Sequence, residues 1–159
     1  MWGTLELHFK LEGADTLSRV LENENTKLKN FKVPLQESSD YLLKVIRANF
    51  DSEGSLVGGW KPLALATVRG RTNKGYGGEH PILVNTGKYK SSFKAIVNST
   101  KMIIDAWGVT YHKYHQSIAP RIQGKEGDRL PRRATLFLKE RDKMEINRVF
   151  QEYLHFSKE

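Results

Sequence analysis

Ser92-Phe93-Lys94-Ala95-Ile96-Val97-Asn98 and Lys101-Met102-Ile103-Ile104-Asp105-Ala106-Trp107 are two β-prone runs that meet through Asn98-Ser99-Thr100. Bulky runs broken by a short polar turn spell a β-hairpin. Phe93, Ala95 and Val97 share one face of the first strand, and Met102, Ile104 and Ala106 one face of the second, because side chains alternate along a strand. No strand–helix–strand alternation surrounds the pair, so the expected class is α+β with an antiparallel sheet.

Upstream, Leu5, Leu7, Phe9 and Leu11 alternate with Glu6, His8 and Lys10, which predicts a strand with one buried face. After Gly13, Asp15 is placed to cap a helix carrying Leu17, Val20, Leu21 and Leu28. A second helix begins near Pro34, a residue suited to a first helical turn, and lines up Leu35, Leu42, Ile46 and Phe50. The two form an N-terminal helix pair. Asp51 to Gly59 reads as a loop and Pro62 as the opening of a short helix through Leu63, Leu65 and Val68. Gly70 to Gly78 is rich in glycine and charge, the composition of an exposed, mobile loop. Downstream of the hairpin, Tyr111 to Gln116 reads as a short helix and Ala119 to Pro131 as a second long loop. Thr135 to Leu138 is a short apolar stretch. Asp142 and Glu145 have the spacing of a helix start, and Ile146, Val149, Phe150, Tyr153 and Leu154 then recur as one apolar stripe.

At 159 residues the chain is expected to form a single domain, 1–159. No stretch approaches the roughly 18 apolar residues that span a bilayer. The opening Met1-Trp2-Gly3-Thr4 lacks the basic and apolar regions of a signal peptide, so a cytoplasmic site of synthesis and residence is expected. With no cysteine, disulfides, thiolate catalysis and Cys-based zinc sites are excluded. The formal charge of +8 is concentrated: Val57 to Arg133 holds 14 Lys/Arg against 4 Asp/Glu, and the remainder 12 against 14. A one-sided basic region favours an anionic partner, nucleic acid or an acidic protein surface. Arg69, Arg71 and Lys74 on the first loop, with Arg121, Lys125, Arg129, Arg132 and Arg133 on the second, carry the excess. They are the candidate interaction residues, suited to phosphate contact that ignores base sequence.

Catalytic patterns are missing. Thr67, Thr86, Ser91, Ser92 and Ser117 lack a Gly-x-Ser-x-Gly elbow. Gly75-Tyr76-Gly77-Gly78 lacks the Lys-Ser/Thr of a phosphate loop. His112 and His115 are three apart, but no acidic residue between Asp105 and Glu126 completes a metal site. Their expected role is structural, with His115-Gln116 offering hydrogen bonds to loop backbone. Neither an enzymatic activity, a cofactor nor a metal is expected.

A series of short motifs runs through the basic middle: Gly59-Trp60-Lys61-Pro62-Leu63, Thr67, Ile82-Leu83-Val84-Asn85-Thr86-Gly87, Ser92-Phe93, Gly108, Tyr111, His115-Gln116, Leu130-Pro131-Arg132-Arg133 and Phe137-Leu138. In this order and spacing the chain resembles the phage virion morphogenesis family, which includes the tail completion protein of Mu-like phages. The resemblance covers roughly residues 40 to 156. It departs from the family after Gln116, where Ser117-Ile118 replaces an aromatic and a glycine, and in the longer Pro131–Leu138 segment. The residues carried over are Trp60, Pro62, Leu63, Thr67, Thr86, Gly87, His115 and Gln116, all in structural roles. The resemblance implies a structural protein of a phage or prophage acting in tail completion or head–tail joining. It implies a homo-oligomeric ring at the neck, bound to other tail or neck proteins and touching DNA in the channel without sequence preference. The implied location is the virion, after assembly in the bacterial host's cytoplasm. The competing expectation is a stand-alone nucleic-acid-binding protein.

Overall fold

The computed structural model describes residues 5–7, 30–116 and 131–156. The hairpin forms from β2 (Phe93–Val97) and β3 (Met102–Ala106), and with β1 (Leu5–Leu7) it makes a three-stranded sheet in the order β1-β3-β2. Asn98 N–H donates to Lys101 O at 2.9 Å and Trp107 N–H to Ser92 O at 3.0 Å, a register that sets Phe93 opposite Ala106 and Val97 opposite Met102. The Asn98 carboxamide oxygen accepts from the N–H groups of Thr100 (3.0 Å) and Lys101 (2.7 Å), so the side chain builds the turn itself. Met102, Ile104 and Ala106 are buried, alternating with half-exposed Ile103 and Asp105.

Five α-helices and one turn of 3-10 helix (Ser55–Val57) accompany the sheet among the described residues, the α-helices being α1 (Lys32–Asp51), α2 (Leu65–Asn73), α3 (Lys88–Ser91), α4 (His112–Gln116) and α5 (Glu140–Phe156). The protein is α+β, with helices before and after an antiparallel hairpin. Asn30 Oδ1 accepts the Lys32 N–H at 3.0 Å at the start of α1, and Pro34 lies in the first turn, where its missing N–H leaves no gap. Leu35, Leu42, Ile46 and Phe50 are all buried. The capping helix expected from Asp15 to Leu28, the strand beyond Leu7 and the loop from Ala119 to Leu130 lie outside the described residues.

The chain divides into two compact units, one of Met1–Leu5, Leu43–Lys94 and Asp105–Phe137, the other of Glu6–Leu42, Ala95–Ile104 and Leu138–Glu159. In the second, Leu35, Leu42, Met102, Ile104, Ile146 and Val149 supply the buried apolar surface. Phe31 and Phe150 pack at 5.8 Å between ring centroids. Asp142 is fully buried and works in two directions, accepting the Tyr41 hydroxyl at 2.8 Å and the Lys139 N–H at 2.9 Å. Helix α5 therefore starts at Glu140, two residues earlier than the Asp142-x-x-Glu145 spacing suggests. Asp142 sits inside the first turn and caps backward, the N3 half of a capping box.

The first unit is organised around Phe50. Trp60 and Tyr89 meet it edge-on at 5.2 Å each, and Phe93 lies 5.7 Å away. Edge-to-face aromatic pairs of this kind contribute about 0.5–1.5 kcal/mol each beyond the area they bury. After α1, Gly54 (φ +83°) donates its N–H to Asn49 O at 2.8 Å and turns the chain toward Trp60. Here a side chain is excluded twice: the backbone is left-handed, and a Cβ would lie 2.2 Å from the indole.

Candidate functional site

The first unit contains a cavity of about 520 Å³ that opens to solvent. One wall is Pro62, Leu63, Ala64 and Thr67, leading into α2. Opposite stand Tyr89, Tyr111 and His115, and the remainder comes from Arg71, Leu83, Asn85, Pro131 and Arg133.

Helix α2 corrects the sequence expectation for this region. It begins at Leu65 rather than Pro62, and it runs through Gly70 to Asn73, residues expected in an exposed loop. The reason is Arg71, which is 7% exposed and is the buried residue of this helix. Its guanidinium donates to Pro81 O at 3.0 Å and Tyr76 O at 3.2 Å, gathering the Gly75–Val84 segment around one cation. Glu53 secures the same segment, accepting the Ile82 N–H at 2.9 Å and meeting His80 Nδ1 at 2.7 Å.

Arg133 is likewise inside, 4% exposed. Its Nε donates to Lys61 O and its Nη2 to Pro62 O, both at 2.9 Å. Burial lowers its pKa from the usual guanidinium range, and the carbonyl bonds offset part of the lost hydration. Arg71 and Arg133 therefore act as framework, not as the exposed loop contacts expected of them. Arg69, Lys74 and Arg132 are exposed. Arg121, Lys125 and Arg129 lie outside the described residues.

The segment Arg133–Leu136 is extended and buried, yet most of its backbone is satisfied by side chains instead of a strand ladder. Gln116 Oε1 accepts the N–H groups of Thr135 (3.0 Å) and Leu136 (3.1 Å), while Gln116 Nε2 donates to Leu136 O. Trp60 Nε1 and Asn49 Nδ2 both donate to Ala134 O at 3.1 Å. The Tyr89 hydroxyl lies 2.9 Å from Thr135 Oγ1, and burial holds that phenol's pKa well above its ordinary value. Thr86 Oγ1 accepts the Lys88 N–H at 3.4 Å, and Gly87 takes φ +75° at the entry to α3. This turn delivers Tyr89 inward.

Of the eight residues singled out in the sequence motifs, Pro62, Leu63, Thr67 and His115 line the cavity. Trp60, Thr86, Gly87 and Gln116 hold its walls from behind. His115 stacks on Tyr89 at 5.8 Å and 30°. Burial above all, then the charges of Arg133 and His112, depress its pKa to about 4, so it is neutral at pH 7. His112 faces Asp105 at 3.3 Å and Phe93 at 6.2 Å. Among the described residues no group of three or more His, Asp or Glu is arranged to hold a metal ion, and no helix is long and apolar enough to cross a membrane.

Sequence reasoning missed the cavity and the burial of both arginines. Neither arginine carried a signal: Arg133 is followed by the buried Ala134, Thr135 and Leu136, so no alternation of faces marks it. Glu53 and Asn49, polar residues beside Phe50, carried no mark either. Comparison of the chain with protein families, curated proteins and solved structures finds no match in any of the three.

Proposed function

We propose that this chain is a structural virion morphogenesis protein of a phage or prophage, acting in tail completion or head–tail joining through ring assembly at the neck. The observation that supports it most is convergence. The motifs that carry the family resemblance are scattered from Trp60 to Gln116, yet they build one cavity and its supporting wall. Their roles there are positional: the Thr86-Gly87 turn sets Tyr89, the Gln116 amide fixes Thr135 and Leu136, and Trp60 anchors Ala134. Such rigid, side-chain-locked geometry suits a subunit that presents fixed surfaces to its neighbours.

Exposed apolar side chains in the same unit agree with such a role. Leu65 on α2 is 74% exposed, and Trp107 and Tyr111 are close to half exposed. A ring uses head-to-tail contacts, in which one surface meets a different surface on the next subunit. In the virus or lysogen carrying the gene, its disruption should leave heads and tails accumulating unjoined in electron micrographs; infectious particles at normal yield would refute the proposal.

The rival, a free nucleic-acid-binding protein, draws on charge. Among the described residues the first unit holds twelve Lys/Arg against four Asp/Glu, and the second six against seven. Sedimentation of the purified protein separates the two readings. Closed oligomers at high concentration support the ring. A persistent monomer that binds DNA with a steep salt dependence supports the rival.

A further inference from the structure

Among the described residues the cavity in the first unit is electrically unbalanced: two arginines, Arg71 and Arg133, line it and no carboxylate does. The four described carboxylates of that unit lie elsewhere: Asp51 pairs with Lys90, Glu53 with His80 and Asp105 with His112, while Glu79 is outside the lining. Apart from the neutral polar residues Thr67 and Asn85, the rest of the described wall is apolar or aromatic, with Leu63, Leu83 and Pro131 beside Tyr89 and Tyr111.

We propose that this cavity is a docking pocket for an acidic, apolar peptide segment of a partner protein, an Asp or Glu carboxylate set beside an aliphatic or aromatic side chain. Both cations are already fixed on backbone carbonyls, so an arriving carboxylate meets a positive field that needs no rearrangement. Attraction between opposite charges strengthens where water is displaced. A basic segment would instead be repelled by the two cations, which is how such a pocket rejects the wrong partner. The neutral His115 ring adds apolar contact without a third charge. At about 520 Å³ the space holds a few side chains. Leu65, the most exposed large apolar residue among those described in the unit, follows the wall residue Ala64 and extends the apolar surface outward. The inference rests on the assembly role proposed above only in taking the segment from another virion protein.

The test uses the full-length protein and a random twelve-residue peptide library displayed on yeast. Enriched sequences should place Asp or Glu next to Leu, Ile, Phe or Tyr; no enrichment, or enrichment of basic or uncharged sequences, overturns the proposal. For a selected peptide, exchanging its acidic residue for the matching amide should weaken binding roughly tenfold or more, the loss expected when a charge-assisted contact is removed. Equal binding of the two overturns it. Thr67 is exposed and lines the cavity, so Thr67→Trp should fill the space, leave the unfolding midpoint unchanged and weaken the peptide by a similar factor. Unaltered binding to that variant moves the site elsewhere and overturns the assignment. Displacement of the peptide by hexanoate at a comparable concentration would assign the pocket to small carboxylic acids instead. Self-association that Thr67→Trp abolishes would assign it to a second copy of this chain. Either of these two results overturns the partner-protein reading. Gene disruption reads the role in the particle and peptide selection reads the pocket, so either can fail while the other stands.

Discussion

Gly54 is the residue whose replacement has the plainest consequence. Its left-handed backbone and the indole 2.2 Å from a would-be Cβ act together, so Gly54→Ala should lower stability by about 2–4 kcal/mol in urea denaturation. Gly58, also left-handed at φ +92° but facing open space, serves as the control, and Gly58→Ala should cost only about 1 kcal/mol. A smaller effect at Gly54 than at Gly58 would show that Trp60 has room to move. His115 gives a pH signature. Its folded pKa of about 4 lies below the ordinary 6.5, so between those values the unfolded chain binds the extra proton. The contribution of this residue is fully present above pH 6.5 and is lost as the pH falls through 4. His115→Phe keeps an aromatic ring against Tyr89 and should flatten that part of the stability-versus-pH curve, measured as the difference between variant and parent. A curve of unchanged slope would remove His115 as the cause. Neither residue is legible as such in the sequence: Gly54 owes its behaviour to the turn that lays Trp60 against it, and His115 to burial beside Tyr89 and Arg133, which only folding supplies.

At the scale of elements, legibility follows periodicity. Helix α1 and the hairpin are readable because Leu35, Leu42, Ile46 and Phe50, and Met102, Ile104 and Ala106, repeat with the spacing of their own geometry. Helix α2 is readable only in its first turn, where a short helix through Leu65 and Val68 is expected, since its one buried residue is an arginine and its leucine faces solvent. Helical pattern recognition looks for an apolar stripe, and none exists there. The start of α5 falls two residues before the expected one because Asp142 caps from the first turn, a position that the same D-x-x-E spacing does not distinguish. Asp142→Ala should therefore remove two hydrogen bonds and cost about 2 kcal/mol, with hydrogen exchange rising in the first turn of α5. The extended segment Arg133–Leu136 reads in sequence only as a short apolar stretch, since its hydrogen bonds come from distant side chains. Gln116→Leu should strand two buried N–H groups and lower stability by about 2–5 kcal/mol. A loss below about 1 kcal/mol in the same urea assay would mean that water replaces the amide.

For the whole molecule, the segregation of charge is the leading fact. The sequence shows a basic middle between neutral ends, and among the described residues the excess falls in one structural unit. Sequence alone does not show which cations are free to meet a partner. Arg71 and Arg133 are committed to carbonyls, so neutralising them would confuse folding with function. The surface is better probed through the exposed group, Arg69, Lys74 and Arg132. Changing all three to glutamine should leave the melting temperature within a few degrees, as surface substitutions do, and should block assembly or DNA retention in the particle. Normal particles from a folded triple variant would take these three cations out of the mechanism.

The Gln116 amide has a bearing on how the chain could vary in length. Two neighbouring strands in a ladder can slide by a pair of residues and still find equivalent partners, whereas a single carboxamide locked onto Thr135 and Leu136 admits one alignment. A residue inserted or removed within Arg133–Leu136 would therefore pull the backbone past its anchor and undo the wall, as a rope shortened by one knot no longer reaches its cleat.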